Sequence, residues 1–394
     1  MGVLRDWRHF DYVLLVVVVL LTVLGVVLIY SANASSPDED LRGLWRRQAT
    51  FGVVGVGFVF LLAVVPRNYQ WLGDFWWLIY VVAVGLLVLV LFFGQSQIGD
   101  VRGWFNFGTF NVQPAFVAMI MLILALGAVL GRPRKRQPRR VPLFGTPKTT
   151  LAETRTETAD FLSYVLSLAM TLLLAGLIFR QPDMGAAAVL MAIWLAMLLE
   201  SDAKLSYLII TMVVAVAAIV PIWNLIKVAG FGYMQVRVLA FLNPEGNPTV
   251  NYQLEQASIA IGSGGFWGKG LGRGTQSQLR YLPVRHTDFI FAVLAEELGF
   301  LGAMVLFALY MVLFYRLLRV VLIAGEKFGK LLATGVLAMV FFQFFVNIGM
   351  NLGLVPIVGL PLPFVTYGPT ALLTTMIGIG MVENVVMRHE SVGF

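Results

Sequence analysis

The side chains able to do chemistry collect in one stretch, from about Lys227 to Glu297, while the segments on either side are almost continuously apolar. Its glycines free backbone N–H groups. Beside Lys269, Arg273, Arg280, Arg285 and His286, these make a cradle suited to a phosphate or diphosphate. Thr287, Asp288, Glu296 and Glu297 lie at the mouth of an apolar run or within it. An ionisable residue in such a place is a functional candidate by default. The plainer reading is a solvated loop skimming the membrane. Composition alone leaves a lipid-phosphate substrate and a transported solute equally open.

Several classes are excluded. With 394 residues, 59% of them hydrophobic and 12% charged, and a mean hydropathy of +0.84, the chain is an integral membrane protein. Runs of the ~20 apolar residues that cross a bilayer as a helix recur along it. The fold class is therefore all-α polytopic rather than a membrane barrel. There are no cysteines, so neither a disulfide framework nor a cysteine metal or redox site exists. His9, His286 and His389 are scattered too widely for a histidine metal cluster. The formal charge of +7 reads as orienting charge in cytoplasmic loops, not as a nucleic-acid surface. Gly268-Lys269-Gly270 imitates a phosphate loop, but Ser263 and Gly270 stand where that motif needs Gly and Ser or Thr. No nucleotide, haem or flavin is expected.

The elements that must position these residues are about ten spans, near 12–30, 49–65, 76–93, 113–130, 161–179, 184–199, 205–226, 289–318, 331–350 and 364–387. The first is longer than a signal-peptide core and reads as a retained anchor. Residues 131–140, GRPRKRQPRR, are the densest basic run and fix that loop on the cytoplasmic side. Counting from it places both termini in the cytoplasm and a large extracytoplasmic loop, 227–288, between helices 7 and 8. Residues 131–160 read as a flexible basic cytoplasmic linker. The whole chain, 1–394, is one transmembrane domain.

Specific motifs run in order along nearly the whole chain: Gln113-Pro114, Gln181-Pro182-Asp183-Met184-Gly185, residues 259–265 (IAIGSGG), 274–278 (GTQSQ), 285–291 (RHTDFIF), 295–299 (AEELG), Asn347-Ile348-Gly349, and 354–368. They closely resemble the SEDS family (shape, elongation, division and sporulation), and its elongation branch more than its division branch. The resemblance implies a ten-helix glycosyltransferase of the bacterial cytoplasmic membrane that polymerises lipid II into peptidoglycan. It implies a class B penicillin-binding protein, other elongation-machinery proteins and membrane lipids as partners. Such chemistry needs a base for the acceptor hydroxyl and positive charge, or a divalent cation such as Mg or Mn, for the departing diphosphate. The resemblance and the cradle together put substrate on Arg237, Lys269, Arg273, Gln276, Arg285, His286, Asp288, Asp183 and Glu296. Asp183 also reads as a helix cap.

The chain departs from the family at the base. Where the family keeps an aspartate before proline, this sequence has Asn247-Pro248, and asparagine cannot take a proton. Phe116 and Met119 replace a glutamate and a lysine that face a central cavity in the family, and Pro369-Thr370-Ala371 replaces a serine- and glycine-rich turn. Loss of both partners of a buried ion pair for apolar residues can be neutral. Three explanations are open: an engineered inactive form, a divergent enzyme using Glu245 or Glu255 as base, or a member that binds lipid-linked precursor and partner without catalysis. A precursor flippase and a solute transporter remain as alternatives, the latter without an internal repeat to support it.

Overall fold

The computed structural model describes residues 9–65, 70–96, 102–108, 110–131, 151–228, 232–243, 248–282 and 284–388. Its helices are α1 (Tyr12–Asn33), α2 (Glu39–Val64), α3 (Gln70–Asp74), α4 (Trp76–Phe93), α5 (Pro114–Leu130), α6 (Leu151–Phe179), α7 (Met184–Glu200), α8 (Leu205–Val228), α9 (Gly232–Leu242), α10 (Pro248–Gly264), α11 (Thr275–Gln278), α12 (Ile290–Ile323), α13 (Lys327–Asn351) and α14 (Pro369–Met387). Seven are long and apolar enough to span a membrane. The shorter apolar helices Pro114–Leu130, Met184–Glu200 and Ser206–Ala218 supply the other three spans expected from the sequence.

Cross-links at the two ends agree with the predicted alternation. At the end assigned to the cytoplasm, Lys327 Nζ bonds Glu200 O at 2.8 Å and Lys330 pairs with Glu200. At the same end Arg316 Nη2 lies 3.1 Å from Asp11 Oδ1, and Asp11 N donates to Glu383 Oε2 at 3.1 Å. At the other end Arg285 reaches α1 and Gln48 reaches the segment before α14. Small residues let the helices approach closely, as bundles in lipid require. A Cβ on Gly380 of α14, for example, would lie 2.9 Å from Val59 Cα of α2.

Several boundaries differ from the sequence reading. Residues 39–48 are not loop but the first turns of α2, started by Asp38, whose carboxylate accepts from Asp40 N at 2.9 Å. The linker read over 131–160 is helical from Leu151, while the basic run from 132 lies outside the described residues. The span read from 364 begins at Pro369, because residues 352–368 form an irregular segment packed against the loop before α12. The span read to about 318 continues as α12 to Ile323. The described residues of the segment read as an extracytoplasmic loop are largely helical, forming α9, α10 and α11. Three short strands, β1 (Gln95–Ser96), β2 (Arg102–Asn106) and β3 (Asn111–Val112), pair as a small antiparallel ribbon.

Candidate functional site

The predicted residues separate into two groups. The first surrounds a break in α12 at Gly299, whose φ of 66° and ψ of −162° suit glycine alone. An unbroken helix would bond Phe300 N to Glu296 O and Leu301 N to Glu297 O. Here Phe300 N and Leu301 N donate instead to Gly265 O and Phe266 O, at 2.9 and 3.1 Å. Glu296 O and Glu297 O receive Lys269 N and Gly270 N, at 3.0 and 2.9 Å. The glycine turn thus repairs a helix break where lipid supplies no replacement partners. Its Lys269 and Gly270 amides face protein carbonyls rather than an empty anion cradle.

The charged side chains of this group are similarly occupied. Glu296, fully buried, accepts from Gln276 N at 2.8 Å, Lys269 Nζ at 3.0 Å, Thr275 Oγ1 at 3.1 Å and Ser277 N at 3.2 Å, closing the start of α11. Lys269 Nζ also donates to Ser263 Oγ at 2.7 Å and Thr275 Oγ1 at 2.8 Å, which uses its three donors. Gln276 contributes its amide N–H, while its side-chain oxygen is buried without a hydrogen-bond partner among the described residues. Glu297 accepts from Ser31 Oγ at 2.5 Å, and Gln278 Nε2 donates to Ser31 O at 2.7 Å. Arg285, buried, donates through Nε to Ala32 O at 2.6 Å, at the end of α1 where carbonyls lack helical donors. Arg273 is exposed, and its backbone N–H closes a turn on Gly270 O at 3.1 Å.

The second group lies where the turn before α7, α9, the loop before α12 and residues 352–368 meet. Asp183 caps α7, accepting from Ala186 N and from Gln113 Nε2, both at 2.8 Å. Asp183 is thus the helix cap read from the sequence, and it also interacts electrostatically with Arg237 of α9. Arg237 Nη1 donates to Ile357 O at 3.0 Å and also faces Asp288. Burial pushes the Asp183 and Asp288 carboxyls up to about 6 each, with Arg237 acting in the opposite direction. The Asp288 main chain is clamped by Asn351 Nδ2 at 2.9 Å and Asn347 Nδ2 at 3.2 Å. Beside it Tyr367 N bonds His286 O at 3.0 Å and Thr366 Oγ1 bonds Thr287 O at 3.3 Å. Burial, then Arg285, lowers His286 to about 4. It is neutral at pH 7 and adds no charge for a diphosphate.

Sequence reading missed Ser31, Arg47, Gln48, Tyr367 and Asn351. Gln48 Nε2 bonds Thr366 O at 3.1 Å, and Arg47 hydrogen-bonds the Tyr367 phenol, which burial pushes up and Arg47 pulls down. Tyr367 lies within the 354–368 motif; for the others the signal in the sequence was polar residues bordering an apolar run. Asn247 and Glu245 lie outside the described residues. Glu255 is exposed on α10. Phe116 and Met119, the two apolar residues at the positions singled out in the sequence, are buried, with Gln343 Nε2 3.6 Å from Met119 Sδ. In the first turn of α14, the Thr370 hydroxyl donates to Asn111 O at 3.1 Å and accepts from Gln113 N at 3.2 Å, tying α14 to the ribbon.

Comparison with known proteins agrees with this architecture. A peptidoglycan glycosyltransferase MrdB of Escherichia coli K12 is 36% identical over 386 residues, covering 96% of this chain and 94% of its own. A probable peptidoglycan glycosyltransferase FtsW of Trichlorobacter lovleyi is 35% identical over 386 residues, covering 96% and 93%. Among solved structures, a chain from a peptidoglycan synthase complex coordinating polymerization and crosslinking superposes with a TM-score of 0.74 at 28% identity, over 97% of this chain and 99% of that one. The rod shape determining protein RodA of Thermus thermophilus gives 0.65 at 28% identity, over 98% and 99%. Residues 11–391 match the cell cycle protein family FtsW/RodA/SpoVE, and the chain belongs to that family.

Proposed function

We propose that this protein is a membrane glycosyltransferase that polymerises lipid II into peptidoglycan strands during elongation, beside a class B penicillin-binding protein. The observation that carries the reading is the constellation of Asp183, Arg237 and Asp288 at the end assigned to the outside, set in a fold matched over 96% of the chain by relatives named peptidoglycan glycosyltransferases. A carboxylate with a raised pKa can accept a hydroxyl proton, and a guanidinium can take negative charge from a departing diphosphate. Likeness to a chain from a peptidoglycan synthase complex supports a crosslinking partner.

The described residues do not fit a protein-built metal centre. They contain no group of three or more His, Cys, Asp or Glu that could hold an ion, and Arg237 takes the cation's place between Asp183 and Asp288. A required Mg or Mn would therefore enter on the diphosphate itself.

A second reading, a non-catalytic binder or flippase of lipid-linked precursor that scaffolds the penicillin-binding protein, is favoured by Asn247. Incubating the purified chain with lipid II, Mg or Mn and a class B partner separates the two. Glycan chains are expected, and binding of lipid II without chain formation would establish the second reading instead.

A further inference from the structure

Backbone strain collects at the end assigned to the outside. Among the described residues four that are not glycine have a positive φ: Pro182 at 27°, Arg280 at 64°, Val284 at 54° and Phe364 at 66°. Pro182 precedes Asp183 and the start of α7, Arg280 and Val284 lie between α11 and α12, and Phe364 lies in the irregular segment that packs there. Val284 stands out, because a β-branched side chain rarely accepts this backbone conformation. Such residues persist only where their surroundings over-determine them, and they gather where placement matters.

The surroundings of Val284 do over-determine it. Its carbonyl oxygen accepts from Thr287 N and Thr287 Oγ1, both at 3.2 Å. Each of the next four residues is then tied to another element. Arg285 Nε donates to Ala32 O at 2.6 Å, Tyr367 N to His286 O at 3.0 Å, Thr366 Oγ1 to Thr287 O at 3.3 Å, and Asn351 Nδ2 to Asp288 O at 2.9 Å. The facing segment is pinned from inside the bundle, where Tyr310 Oη donates to Pro363 O at 2.5 Å, next to the strained Phe364. The Val284 side chain is 40% exposed, so packing does not explain a valine there.

We propose that Val284 is a positioning residue of the outer site: held at positive φ by these ties, its stiff, branched backbone gives residues 285–288 a single placement against Arg237 and Asp183. The inference rests on the glycosyltransferase reading. Glycine reaches a φ of 54° without strain, but it reaches other regions as freely, so the entry to residues 285–288 would gain conformations. Isoleucine keeps the branch at Cβ and with it the stiffness.

The test is the lipid II polymerisation assay on the full chain, with lipid II binding and the detergent Tm measured in parallel. Val284→Gly is expected to slow chain formation at saturating lipid II about 10- to 100-fold, while lipid II binding is kept and the Tm stays level or rises as strain is relieved. Val284→Ile is expected to hold the rate within about threefold of the unaltered chain. The assignment alone is overturned if Val284→Gly polymerises like the unaltered chain, if its rate, binding and Tm fall together, or if Val284→Ile is as slow as Val284→Gly. An unaltered chain that binds lipid II but makes no glycan overturns the polymerase reading and this assignment with it.

Discussion

The two halves of the outer region use similar residues for opposite ends. Around Gly299, Lys269, Glu296 and Arg285 spend their hydrogen bonds on protein partners, and the glycine amides restore main-chain pairing across a broken helix. Around Arg237, the carboxylates of Asp183 and Asp288 face a single guanidinium, and Asp288 keeps its acceptor capacity. Charge density therefore does not locate chemistry here. The useful quantity is hydrogen-bonding capacity left after the fold has taken its share.

Breaking the closed half should produce the largest effects. Glu296→Ala leaves Lys269 without its counter-charge and the start of α11 uncapped. It is expected to cost ~3–5 kcal/mol, read as loss of folded protein or a large drop in detergent Tm. A thermal midpoint like that of the unaltered chain would show that this half is not a structural clasp. Gly299→Ala follows, at ~1–3 kcal/mol for the forced backbone geometry, plus collision of its methyl with Gly268 and Phe266. Its Tm should fall even though no charge is touched.

Altering the open half should change pH dependence more than stability. Arg237 lowers both carboxyls, so Arg237→Ala lets them rise. Fewer Asp288 groups are then ionised at a given pH, and the acid limb of the rate profile should move above about 6. A limb that stays in place would uncouple Arg237 from the carboxylates. The smallest effect is expected from Arg273→Ala, at an exposed position: stability within ~0.5 kcal/mol, with binding of a diphosphate lipid weakened a few-fold and binding of undecaprenol unchanged. Equal change for both ligands would remove Arg273 from the diphosphate's surroundings.

Much of the scaffold was legible because lipid imposes a simple rule: a run of apolar residues must satisfy its own backbone, and basic loops stay inside. Ten spans and their alternation followed from that. Residues 39–48 were misjudged because their charges resemble a loop, yet Asp38 caps a helix that begins before the apolar run. Residues 364–368 were misjudged in the opposite direction, since their apolar character suited a helix while Tyr367 and Thr366 were needed to pair with the loop before α12.

The sequence by itself determined the membrane class and the residue types within reach of the site. These depend on local composition and on motifs, which survive without coordinates. Only the tertiary structure decided how those residues divide. Lys269 and Glu296 are 27 positions apart and close a clasp, whereas Asp183, Arg237 and Asp288 come from separate elements and are brought to face one another. Whether a charge is consumed or available depends on what long-range packing places within 3 Å of it, and linear order does not encode that distance.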